Sequence, residues 1–146
     1  MSWFVDTNVL IYSIDNRVPA KKERAGLWLE ELGRHKAVVL SPQSLNEFYV
    51  VATLRLGLPR DISTRDLVWK LVRWCKAPLD AEVSRHAWLI EDRTGHRYFD
   101  CLLIASALRA DCSFFLSEDL QHERRIGDLT ILNPFLTSPH DVLPAN

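Results

Sequence analysis

The chain has 146 residues, about one domain's worth, and its 47% apolar and 25% charged residues are ordinary proportions for a soluble protein with a core. Eighteen basic residues against nineteen acidic ones leave a net charge of −1, which excludes binding by overall positive charge but leaves room for nucleic acid at a local site. Three widely spaced cysteines without a CxxC pair (Cys75, Cys101, Cys112) speak against a disulfide framework or a zinc site and point to a reducing cytoplasm; no run of about 18 apolar residues predicts a membrane span, and Met1–Asp6 lacks the basic start of a signal peptide.

Trp3 to Val5 reads as a strand ending in Asp6-Thr7-Asn8, where Thr7 and Asn8 suit a helix cap as well as support for Asp6. A short helix or turn follows over Val9–Ile14. Lys21–Arg34 is amphipathic, with Ala25, Leu29 and Leu32 on one side, Trp28 widening the face, and Gly33 near the stop. Ala37–Leu40 is a second strand. Ser41-Pro42 is a cap followed by a first-turn proline, opening a helix to about Leu56 that carries Glu47, with Gly57 as its stop.

Ser63-Thr64 opens a helix to about Lys76, and Ala77-Pro78-Leu79 is a weak edge-strand candidate. Ala81–Thr94 is helical by spacing and ends at Gly95. Phe99, Leu102, Leu103, Ser106, Ala107 and Ala110 form one face of the next helix, with Asp100 in its first turn. Ser113–Leu116 and Thr130–Leu132 are the remaining strands. No repeat or linker divides the chain, so one domain over 1–146 is expected, with 137–146 a fraying surface tail. Strands alternating with helices predict an α/β fold with a mostly parallel sheet, whose ligand site lies at the carboxyl ends of the strands.

Asp6 and Asp119 follow strands, Asp119 by way of Ser117-Glu118, while Glu47 and Asp100 lie near the starts of helices that leave or approach the sheet. Each acid alone reads as a cap, a dipole partner or a solvated side chain. All four together, each beside apolar residues, predict a cluster that repels itself unless a cation neutralises it. Oxygen ligands without His or Cys favour Mg²⁺, or Mn²⁺, and such a site suits phosphodiester hydrolysis by metal-activated water. Glu118 reads as solvent-facing by strand parity, and Asp15, Asp92 and Asp128 as surface or turn residues. Cys101 reads as a buried, inert thiol. No GxGxxG, Walker A, GxSxG or HExxH pattern is present.

The ordered set Val5-Asp6-Thr7-Asn8, Asn46-Glu47-Phe48, Tyr98-Phe99-Asp100-Cys101-Leu102-Leu103-Ile104-Ala105 and Leu116-Ser117-Glu118-Asp119 resembles the PIN domain family, and within it the VapC toxins. Cys101 stands where Ala is more common. The resemblance implies a three-layer α/β/α fold with four to five short strands. It also implies a Mg²⁺-dependent endoribonuclease, a homodimer in the cytoplasm held inactive by a cognate VapB-like antitoxin. In that reading Asp6, Asp100 and Asp119 bind a metal, and Glu47 completes the site, holds a second ion or orients water. Ser117, Thr7 and Asn8 support the acids.

Charge is uneven. Arg55 to Lys76 holds six bases and two acids, among Leu67, Trp69, Val72 and Trp74, and reads either as a solvated basic face or as a surface for a partner and RNA. Arg97, Arg124 and Arg125 are better placed to hold RNA phosphate near the acids. A receiver domain would need a late Lys, and none follows Lys76; a haloacid-dehalogenase-type phosphatase would need Asp-x-Asp where Asp6-Thr7-Asn8 stands. An RNA-processing PIN nuclease without an antitoxin and a non-catalytic module that binds RNA or protein are compatible with the same motifs.

Overall fold

The computed structural model describes residues 1–145 and divides into two compact units, Met1–Val38 with Ser113–Asn146, and Val39–Cys112. A five-stranded sheet runs in the order β2 (Val38–Val39), β1 (Trp3–Val5), β3 (Phe114–Leu116), β5 (Leu129–Leu132), β4 (Arg125–Ile126). The pairs β1–β3 and β3–β5 are parallel, and β4–β5 is antiparallel.

In the first unit, β1 is buried along its whole length, as befits a central parallel strand. Its register sets Trp3 beside Phe114 and Phe4 beside Phe115, and both ring pairs stack, with centroids 4.2 and 5.3 Å apart. The indole of Trp28, on α2 (Pro19–Arg34), tilts against Trp3 at 5.2 Å. Helix α2 begins two residues earlier than the spacing predicts, because Pro19 fits its first turn. Its buried stripe is Ala25, Trp28 and Leu32, with Leu29 half-exposed, since the large indole rather than Leu29 fills the space over the sheet. Gly33 is not the stop: the helix ends at Arg34, and Lys36 takes the left-handed turn at φ 54°.

The hairpin of β4 and β5 is absent from the sequence reading. Its strands are too short for a visible alternation, and its signal is the two-residue connection Gly127-Asp128, with Gly127 at φ 59°. Far from fraying, the tail forms a one-turn helix, α7 (Pro139–Val142), with Pro139 buried. The carbonyls of Pro134 and Thr137 accept from the Trp28 indole, and His35 contacts the Pro144 carbonyl. Asp15 is buried and not a surface residue, because its carboxylate takes both the backbone amide and the guanidinium of Arg17.

In the second unit, α3 (Pro42–Leu54) opens as expected at Ser41-Pro42, where Ser41 and Ser44 form a reciprocal cap. It ends two residues before Leu56, with Gly57 at φ 71° beyond it. Helix α4 (Ile62–Trp69) is capped by Asp61 rather than Ser63, and passes into a 3-10 helix over Lys70–Trp74. Ala77–Leu79 forms no strand: the chain makes a single bridge between Leu40 and Cys75, and Pro78 offers no amide to extend it. Helix α5 (Ala81–Thr94) closes at Gly95, φ 71°, as its spacing predicts. It packs on α6 (Tyr98–Arg109), in which seven consecutive residues, Cys101–Ala107, are buried. Phe99, expected on the buried face, is 60% exposed; the buried stretch begins only at Cys101, and Phe99 packs edge-on to Tyr98. No helix among the described residues is long and apolar enough to cross a membrane.

Candidate active site

The β1–β3 register builds the first group of residues. Val5 pairs with Leu116, so Asp6 and Ser117 are the next positions on two adjacent parallel strands, at their carboxyl ends. The Asp6 amide donates to the Leu116 carbonyl at 2.9 Å, and the Ser117 amide donates to the Leu132 carbonyl at 3.0 Å. Both side chains are thereby drawn to the same edge. Ser117, fully buried, donates from Oγ to Asp6 Oδ2 at 2.7 Å.

Asp6 is only 6% exposed, and a carboxylate so placed needs donors. Besides Ser117 it takes the Thr7 amide on Oδ1 at 2.7 Å, and the Asn8 amide nitrogen lies 3.4 Å from Oδ2. Asp6 itself occupies the cap position of α1 (Thr7–Tyr12). Thr7 and Asn8, read as the cap, instead lie inside the first turn, because the chain leaves the extended conformation at Asp6 and the helix's free amides face its carboxylate.

Asn8 is the link to Asp119. Its Nδ2 donates to Asp119 Oδ2 at 3.0 Å and stands 3.4 Å from Ser117 Oγ. The Asp119 amide donates to the same Ser117 hydroxyl at 3.3 Å. One acid of this pair is enclosed and the other is exposed to solvent. Asn8 Oδ1 is buried with no hydrogen-bond partner among the described residues.

Glu118 points elsewhere. It pairs with Lys21 and interacts with Tyr12, so it is more shielded than Asp119 and does not face open solvent. The hydrogen bond from Lys21 to Glu118 raises the ammonium above its ordinary range, and burial followed by Glu118 raises the Tyr12 hydroxyl. The Lys21 ammonium lies 4.8 Å from the Tyr12 ring centre and 5.0 Å from that of Phe135.

The second unit holds the other two acids. Glu47 lies half-buried on α3, and Oε1 accepts from Gln43 Nε2 at 2.7 Å. Asp100 is in the first turn of α6, where Arg97 Nε lies 3.3 Å from its Oδ2. That Arg97 side chain is 83% exposed. Arg124 is half-buried and Arg125 is exposed on β4. Sequence reasoning missed Gln43, Lys21 and the place of Glu118. Gln43 had a legible signal, its position one helical turn before Glu47; the Lys21–Glu118 pair spans 97 positions and had none.

The donor set fits a hard divalent cation. Carboxylate oxygens and an unpartnered amide oxygen, without nitrogen or sulfur ligands, match Mg²⁺ or Mn²⁺. Among the described residues no three His, Cys, Asp or Glu side chains close into a metal cage. A carboxylate pair is nonetheless the usual protein share for Mg²⁺, which keeps several of its waters.

Three solved structures resemble the chain. A toxin–antitoxin complex from Klebsiella pneumoniae aligns with a TM-score of 0.66 at 14% identity, over 91% of this chain and 98% of that one. VapBC2 from Rickettsia felis, bound to a promoter DNA fragment, aligns at 0.63 and 14%, over the same shares. VapC20 from Mycobacterium tuberculosis, a Sarcin-Ricin loop cleaving toxin, aligns at 0.56 and 18%, over 78% and 87%. At these identities the likeness is one of fold. No curated protein matches the chain. Residues 3–127 match the PIN domain model, most of the chain and all four acids. The chain belongs to the PIN domain family.

Proposed function

We propose that this PIN domain is a Mg²⁺-dependent endoribonuclease and the toxin of a toxin–antitoxin pair. The observation that carries the reading is the Asp6–Ser117–Asn8–Asp119 group at the carboxyl ends of β1 and β3. A buried carboxylate with three donors around it and a second, exposed carboxylate held by the same amide make a polar group of greater extent than helix capping requires.

Asp6 and Asp119, with Glu47 and Asp100 as the remaining acids, would hold the ion. When bound, Mg²⁺ supplies activation of water and neutralises charge on the leaving oxygen. Ser117 and Asn8 keep the first two carboxylates oriented. Arg97, Arg124 and Arg125 would meet RNA phosphates and fix the strand.

Similar structures are toxin–antitoxin complexes, which supports a VapB-like antitoxin as partner. Trp69 and Trp88, 67% and 56% exposed, support protein contact surfaces on the second unit, for an antitoxin or for a homodimer in the cytoplasm.

The test is RNA cleavage by wild type and by Asp6→Asn, each in Mg²⁺ and in EDTA. Cleavage by wild type in Mg²⁺ alone is expected; full cleavage in EDTA, or by the variant, defeats the metal-nuclease reading. Growth arrest on expression, relieved by a neighbouring small gene, tests the toxin role separately.

A further inference from the structure

The carboxamide of Gln43 reaches two elements at once. Gln43 lies in the first turn of α3, four residues before Glu47, so the two side chains share one helix face. Its Nε2 donates to Glu47 Oε1 at 2.7 Å and to the Phe99 carbonyl at 2.9 Å. Phe99 is the second residue of α6 and the neighbour of Asp100. One buried amide, 6% exposed, thus ties the side chain of one acid to the backbone beside another.

Both acceptors are oxygens, so the amide has one orientation, with nitrogen toward Glu47 and Phe99. Gln43 Oε1 is then left buried with no hydrogen-bond partner among the described residues. Asn8 shows the same pattern in the other unit, its nitrogen on the carboxylates and its oxygen unpartnered. A buried acceptor left open is costly in a purely structural role. It is explained where ordered water or a hydrated cation supplies the missing donor.

We propose that Gln43 is a positioning residue, which fixes the Glu47 carboxylate against the first turn of α6 for metal binding. The inference rests on the ribonuclease reading above. A free glutamate must give up its rotamers when it takes up an ion, and a glutamate already held by an N–H donor has given them up beforehand. Residues that orient metal ligands in this way typically change affinity or activity by about 10–100-fold when removed.

The first experiment uses the unaltered chain, labelled with ¹⁵N. The Gln43 side-chain amide is expected to exchange slowly with water and to shift on titration with Mg²⁺. A fast-exchanging amide that stays fixed while other resonances move overturns the proposal. The second uses Gln43→Met, which keeps the length and removes the donors. Mn²⁺ affinity, read by calorimetry, is expected to fall about ten-fold, and kcat on RNA by a like factor, with KM within about two-fold. In a Glu47→Gln background the same change is expected to add nothing. Unaltered Mn²⁺ affinity, or the same loss with and without Glu47, overturns the proposal; should Gln43→Met not fold, the amide measurement decides. Asp6→Asn separates the two failures. Full cleavage by Asp6→Asn removes the ribonuclease reading and the role of Gln43 with it, whereas an inactive Asp6→Asn beside a silent Gln43→Met removes the role of Gln43 alone.

Discussion

Asn8 Nδ2 and Asp119 Oδ2 stand 3.0 Å apart across 111 positions of chain, and the same nitrogen is within 3.4 Å of Asp6. An asparagine here lets two carboxylates sit close together without a cation, because the amide offers donors where a third acid would offer charge. Asn8→Asp reverses that. In metal-free buffer the variant is expected to lose about 1–3 kcal/mol at neutral pH, from lost donors and added repulsion against Asp6. Millimolar Mg²⁺ is expected to raise its melting temperature more than that of wild type. Equal Mg²⁺ responses in thermal melts would show that the cation does not enter this group.

Ser117 makes a different prediction. Its hydroxyl is the shortest side-chain donor to Asp6, and nothing around it is open to water. Ser117→Ala leaves a buried carboxylate short of one donor, at a cost of about 1.5–3 kcal/mol, the range for hydrogen bonds to charged groups. Urea denaturation at pH 7 measures this. A loss under about 0.5 kcal/mol would mean that Asp6 finds its donors elsewhere.

The acids at the strand ends were legible because two local rules coincide on them. Apolar runs such as Trp3-Phe4-Val5 announce buried parallel strands, and the first polar residue after such a strand must stand at its edge. Helix α5 was legible to the residue, since Asp80 caps it, Val83, Ala87 and Ile90 line it, and only Gly95 easily takes the left-handed turn that ends it. Helix α6 resists the same method. Seven consecutive buried residues carry no face to read, and hydropathy alone assigns Phe99 inward. What stayed hidden were pairings set by tertiary distance: Glu118 with Lys21, Trp28 with the tail, Gln43 with the Phe99 carbonyl. Nothing in local spacing encodes a partner 56 or 106 positions away.

The cysteines lead to a reactivity prediction. Burial pushes the Cys112 thiol up to about 12 and raises Cys101 and Cys75 as well. The thiolate is the nucleophile, so a raised value leaves little reactive form at pH 8. Cys112 and Cys101 are buried while Cys75 is half-buried. In the native protein, iodoacetamide at pH 8 is expected to modify Cys75 slowly and Cys112 least, and all three rapidly in urea. Mass spectrometry of the peptides gives the order. Native alkylation of Cys112 at the rate of a free thiol would contradict its burial.

The last prediction concerns the tail. The Trp28 ring is fully buried, and its Nε1 donates to the Pro134 carbonyl at 2.9 Å and lies 3.1 Å from that of Thr137. Arg24 Nη1 reaches the Thr137 carbonyl as well, at 3.1 Å. One side chain therefore joins the sheet core, through Trp3, to the segment after β5. Trp28→Phe removes the donor and leaves the Pro134 carbonyl unpaired, at about 1–3 kcal/mol beyond the lost ring contacts. Truncation after Leu136 takes away the Thr137 carbonyl and the buried Pro139 of α7 while keeping Pro134. In a background with the exposed Trp69 and Trp88 changed to Phe, that truncation is expected to shift tryptophan emission to the red and lower the melting temperature. Unshifted emission would mean that Trp28 is sealed by the sheet and α2 alone, with the tail merely lying against it.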